Sequence, residues 1–101
     1  MTSALVAVAA AIMARPNDRH WGYELTKETG HRSGAVYPLL TKLWKAGWLA
    51  DGWESDADTG GDRPPRRYYE LTDDGRRELG AVLGRAANDP RFRGIAPGWA
   101  W

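Results

Sequence analysis

Cysteine is absent from the 101-residue chain, which excludes a disulfide framework, a thiol nucleophile and any cysteine-based metal site. An excess of one charge is lacking too. Fourteen basic side chains meet thirteen acidic ones, for a net charge of +1, so attraction to a polyanion must be local. The first apolar segment, Ala4 to Met13, falls well short of the roughly 20 residues that cross a bilayer. Met1-Thr2-Ser3 offers no basic stretch of the kind that opens a secretory signal. A cytoplasmic protein without a membrane partner is therefore expected. Nor does the chain show a nucleophile–base pair or a phosphate-cradling glycine loop. His20 and His31 have no carboxylate at ligand spacing. Asp56, Asp58 and Asp62 do not make a calcium loop, because Gly60 and Arg67 fall where ligands are needed. The expectation is no enzyme, no cofactor and no metal.

What is present is organised around Arg32 to Ala46. Val36, Leu39, Leu40 and Leu43 recur at i, i+3, i+4 and i+7, which places them on one face of a helix. Tyr37, Pro38, Thr41, Lys42 and Lys45 fall around the other side, with no acid between Ser33 and Lys45. A helix buried on one face and cationic on the other suits a duplex phosphate backbone and its major groove. A solvated face with two lysines is the bland alternative. Ser33 is the expected N-cap. Pro38 lies a turn inside, so either the helix begins later than Ser33 or its first turn is irregular.

The flanking segments extend this pattern. A first helix over Ala4 to Met13, apolar all round, is expected to be buried all round, with a second subunit covering one side. Arg15-Pro16-Asn17-Asp18 breaks it, and a second helix follows from His20 to Thr29 with Gly30 as a left-handed cap. Two helices joined by a tight turn, the second cationic, make a helix-turn-helix. After Gly47 the period changes. Trp48 to Glu54 and Arg66 to Leu71 read as paired strands around a polar loop, Ser55 to Pro65. This hairpin is a wing, whose Arg63, Arg66 and Arg67 are expected to reach phosphates or a narrow minor groove. The loop acids are expected to pair with those arginines until DNA displaces them.

Thr72 caps a last helix, Asp73 to Asn88, with the stripe Leu79, Val82, Leu83 and Ala86; Gly75 spoils a capping box. Six tryptophans are many for this length. Trp99 and Trp101 end an aperiodic tail that is expected to clasp a partner subunit, ahead of covering a pocket or hanging free. The expected fold is mainly α with a small β-hairpin. Residues 1–72 would form a winged helix-turn-helix, and residues 73–101 a helix and tail for dimerisation. Candidate dimer or effector contacts are Leu5, Val8, Ile12, Leu79, Val82, Leu83, Trp99 and Trp101.

Several runs together carry a family likeness: Gly22-Tyr23-Glu24-Leu25, Ser33-Gly34-Ala35-Val36-Tyr37-Pro38-Leu39-Leu40, and Arg63-Pro64-Pro65-Arg66-Arg67-Tyr68-Tyr69 with Leu71-Thr72-Asp73-Asp74-Gly75-Arg76. In order and spacing the chain resembles the PadR-like transcriptional regulators over about residues 4 to 88. The resemblance implies a winged helix that binds palindromic operator DNA as a homodimer and represses promoters. It also implies release by an aromatic or cationic small-molecule effector. By analogy Ser33, Gly34 and Ala35 open the helix that enters the groove, with Gly34 and Ala35 permitting close approach. Tyr37 would hold a phosphate, and Arg66 and Arg67 would anchor the wing. The longer C-terminal dimerisation domain of some members is expected to be absent, which leaves the first helix, Asp73 to Asn88 and the tail to supply the dimer contact. A rival from another class is a winged helix used only for protein contacts, which near-neutral charge and an acidic wing tip would suit.

Overall fold

Thr2 opens the first helix by accepting the Leu5 N–H on its hydroxyl at 3.1 Å. The computed structural model describes residues 1–94. Helix α1, Ser3–Ala14, buries Val6, Val8, Ala9 and Ile12 completely. A single subunit does this, because α2 (Gly22–Thr29), α3 (Ser33–Lys45) and α5 (Asp73–Ala87) all pack on α1. The other side of α1, where a second subunit was expected, is left half-buried at Leu5, Ala10, Ala11 and Met13. Val8, Ile12, Leu79, Val82 and Leu83, anticipated as partner contacts, are 0–2% exposed and sit in one intramolecular core. Each side chain of this kind contributes about 1.5–3 kcal/mol by leaving water. Leu5 remains half-buried at the rim. Trp99 and Trp101 lie outside the described residues.

His20 and Trp21 do not begin the second helix. They form strand β1, antiparallel to β3 (Arg67–Leu71), with His20 opposite Tyr69 and Trp21 opposite Tyr68. The helix starts at Gly22, and Trp21 occupies its N-cap without a side-chain bond. Burial of the imidazole decides this. His20 is fully enclosed on the core face of the sheet, with Nε2 donating to the Arg15 carbonyl at 2.9 Å. Strand β2 (Leu49–Trp53) pairs with the other edge of β3, giving a three-stranded sheet in the order β1-β3-β2 where a two-stranded hairpin was expected.

Gly30 caps α2 at φ +72°, as its sequence position suggests. Ser33 is not the N-cap of α3. Arg32 takes that place without a side-chain bond, and its carbonyl accepts the N–H of both Ala35 and Val36 at 2.9 and 3.0 Å. This shared bond tightens the first turn, and the helix then runs through Pro38. Proline cannot donate to the Gly34 carbonyl, but Gly34 is exposed, so water can serve that carbonyl instead.

The wing tip, expected as a plain loop, contains a short helix, α4 (Asp56–Thr59), closed by reciprocal bonds between Ser55 and Asp58. Thr72 caps α5 as expected, accepting the Gly75 N–H at 3.0 Å and donating to the Gly47 carbonyl at 2.6 Å. Gly75 now has a reason. A Cβ there would stand 1.9 Å from the Trp48 carbonyl oxygen, so only glycine lets α5 meet the start of β2.

Candidate nucleic-acid interface

The inward face of α3 is settled by Val36, Leu40 and Leu43, all in the core. That burial turns Ser33, Gly34, Ala35, Tyr37, Pro38, Lys42 and Lys45 outward, all exposed, while Thr41 is half-buried and donates to the Tyr37 carbonyl at 3.2 Å. Tyr37 is held by packing. Its ring lies across Gly22, where an added Cβ would come within 2.4 Å of the ring. This contact ties the N-terminus of α2 to the outer face of α3.

Beside α3 the wing closes a groove of about 700 Å³. Tyr23 and Lys27 from α2, Tyr37 and Thr41 from α3, and Trp53, Arg66, Arg67 and Tyr69 from the wing line it. No carboxylate is among its described lining residues. The Arg66 guanidinium lies 4.8 Å from the centre of the Tyr23 ring, and the Lys27 ammonium 5.7 Å from the same ring. Tyr23, Lys27 and Trp53 were not singled out by sequence reasoning. The i,i+4 spacing of Tyr23 and Lys27 on one exposed helix face was the available signal. Trp53, 64% exposed at the end of a strand, had none.

The wing arginines are placed differently from expectation. Arg63 grips Glu54 through both carboxylate oxygens, at 2.6 and 2.9 Å, and the Glu54 side chain is only 5% exposed. Glu54 also accepts the Arg66 N–H at 2.8 Å. Its carboxyl is held below the usual range, chiefly by the Arg63 hydrogen bonds, against the opposing effect of burial. Arg67 is bound to Asp51 at 3.0 Å. Arg63 and Arg67, expected to reach phosphates directly, thus already hold carboxylates inside the wing. The loop acids do not pair with these arginines either. Asp58 bonds Ser55 and Arg19 instead, and the Ser55 bonds first, then Arg19, hold its carboxyl below the usual range.

A second cleft, about 380 Å³, is floored by Ala7, Ala10 and Ala11, with Glu28, Thr29 and His31 around it. Among the described residues no three potential ligands cluster to hold a metal, and no helix is long and apolar enough to cross a membrane.

Comparison with known proteins places the fold that carries this helix face and groove. The family model of the PadR-like transcriptional regulators matches residues 11–81, from α1 into α5. The chain belongs to the PadR-like family. This PadR-like protein is similar to a PadR family transcriptional regulator from Eggerthella lenta, with 27% identity and a TM-score of 0.64. That alignment covers 87% of this chain and 79% of the other. A PadR-like transcription factor from Bacteroides fragilis aligns at 25% identity, over 86% of this chain and 85% of that one, with a TM-score of 0.59. A MarR family regulator from Silicibacter pomeroyi shares the fold alone. It is 18% identical, with a TM-score of 0.60, over 95% of this chain and 63% of that one. No curated protein matches the chain. The PadR-like protein is a winged-helix transcription regulator, of a family that is not enzymatic.

Proposed function

We propose that this PadR-like regulator binds operator DNA as a homodimer and represses by occupying the promoter. The outer face of α3 enters the major groove, led by Ser33, Gly34 and Ala35. Tyr37, Pro38, Thr41, Lys42 and Lys45 then lie along the backbone and base edges. Arg66, whose guanidinium rests on Tyr23, carries the contact on to the wing. One observation supports this reading above others: neither the outer face of α3 nor the described lining of the groove contains an acid, in a molecule with almost no net charge.

A two-fold dimer would set its α3 helices about 34–36 Å apart, matching half-sites one helical turn apart. Half-buried Leu5, Ala10, Ala11 and Met13 at the rim of the core offer apolar surface for the partner. The alanine-floored cleft has the size of a small-molecule site and Glu28 at its edge. It is the candidate place for an aromatic or cationic effector that releases DNA.

The test is a gel-shift titration against the DNA upstream of its own gene at two salt concentrations, with the mass in solution measured alongside. Binding that weakens steeply with salt, by a dimer, is the expected result. A monomer that ignores every promoter-sized duplex ends the proposal in favour of a protein-interaction module, which the exposed acids of α4 would suit.

A further inference from the structure

We infer that Asp51 determines specificity by withholding Arg67 from DNA and using it as a strut between the wing and α3. The inference rests on the DNA-binding reading above. Asp51 lies on β2 directly opposite Tyr69 of β3, on the sheet face that meets α3. One of its carboxylate oxygens accepts the Trp44 indole N–H at 2.9 Å. The other accepts the Arg67 Nε–H at 3.0 Å. The guanidinium itself sits 5.0 Å from the ring centres of both Trp44 and Tyr69. The last turn of α3 and both strands of the wing therefore meet on one planar cation.

The side chains of Asp51 and Arg67 are 29% and 31% exposed, so the pair is partly withdrawn from solvent. To reach a phosphate, Arg67 must give up a carboxylate and two aromatic faces at once. A phosphate replaces only the first of these. Arg67 therefore stays in place when DNA arrives. The contact also fixes how α3 is turned about its own axis. Trp44 precedes Lys45 and follows Lys42 by two positions, so its bond to β2 sets where both ammonium groups stand relative to the wing. Charge alone suffices for binding any duplex, whereas sequence is read only when base-contacting groups are correctly registered. Loss of Asp51 frees a cation and loosens that register in the same step.

The probes are a duplex enriched from a random pool by the wild-type protein and a shuffled duplex of the same composition. In Asp51→Ala the plot of log K against log salt steepens by about one unit per subunit, as Arg67 becomes a phosphate contact. The shuffled duplex binds more tightly, and the ratio of enriched to shuffled affinity falls by about tenfold. Arg67→Ala leaves the wild-type slope in place while lowering the same ratio, and the double variant returns to the wild-type slope. A shallower slope in Arg67→Ala alone overturns the inference, because Arg67 would then already lie on a phosphate. Equal weakening on both duplexes in Asp51→Ala overturns it as well. The Trp44 indole N–H resonance, identified by its loss in Trp44→Phe, separates this failure from that of the broader reading. An unmoved signal in Asp51→Ala sinks the strut whatever the DNA result. A moved signal with no duplex enriched sinks the DNA-binding reading.

Discussion

On α3, Lys42 and Lys45 stand exposed with no ion-pair partner among the described residues. The wing instead tethers each of its arginines: Arg63 to Glu54, Arg67 to Asp51, and Arg66 across the Tyr23 ring. The two halves of the candidate interface carry the same sign of charge but hold it differently. Lysines on the helix are available as point charges for phosphate. In the wing, arginine serves as a planar connector, whose fork matches a carboxylate and whose face stacks on aromatics. Such a wing is pre-shaped before DNA arrives, so less ordering is left to offset the gain from contact. Its reach toward phosphate is correspondingly reduced, and Arg66, stacked on Tyr23 but paired with no carboxylate among the described residues, is the wing arginine whose charge is least neutralised.

The largest effect should come from removing what seats the helix. Leu40 is fully buried on the inner face of α3, and Leu40→Ala should cost about 2–5 kcal/mol in denaturant unfolding. Both halves of the interface would be lost together. Gly22→Ala should cost less, no more than about 1 kcal/mol, since only the far end of the exposed Tyr37 ring must swing off its seat. Here the stability loss should be accompanied by a change in Tyr37 exposure, visible in its ring proton shifts. If those shifts stay put, the packing of Tyr37 on Gly22 is not what holds it.

Acid should separate the wing from the core. His20 is enclosed with Nδ1 unpartnered, and burial pushes its pKa below the ordinary 6.5. The unfolded chain then binds more protons than the folded one. Stability is complete above about pH 6.5, and it declines as pH falls from there through the folded value. His20→Gln should remove that decline from a series of melts at stepped pH. Glu54, held below its ordinary range by Arg63, contributes in a more acid part of the scale. Its contribution is present above the ordinary glutamate pKa and is lost as pH falls through the lower, folded value. Hydrogen exchange should therefore rise in residues 54–66 at a more acid pH than the one that weakens the His20 strand.

The smallest effect on stability sharpens the comparison most. Lys42→Ala should change unfolding free energy by no more than about 0.5 kcal/mol, as for other exposed sites. It should nonetheless flatten the salt dependence of DNA binding by about one unit per subunit. An unchanged slope would show that Lys42 does not touch the backbone, and the contrast between free helix and tethered wing would lose its functional meaning.

Much of this molecule can be read without coordinates. The buried stripe of α3, the left-handed cap at Gly30, the Thr72 cap and the acid-free outer face follow from residue spacing. So does the family-like order of helix, turn, helix and wing. These features are local, decided by neighbours within a turn or two, and a periodic pattern records them directly. Where pattern reading fell short, the deciding partner lay far along the chain. Arg63 meets Glu54 nine positions away, and Arg67 meets Asp51 sixteen away, through a strand register that no local pattern specifies. His20 and Trp21 joined the sheet because β3 lay beside them, and Gly75 is glycine because the Trp48 carbonyl presses on it. Likewise α1 reads as greasy on every side, but only packing could decide that α2, α3 and α5 of the same chain would bury Val6, Val8, Ala9 and Ile12 and leave Leu5, Ala10, Ala11 and Met13 half-buried. Local spacing thus determined which residues face outward. Three-dimensional contact alone decided which outward charges are free to meet another molecule, because a guanidinium pairs with whichever carboxylate the fold brings within reach.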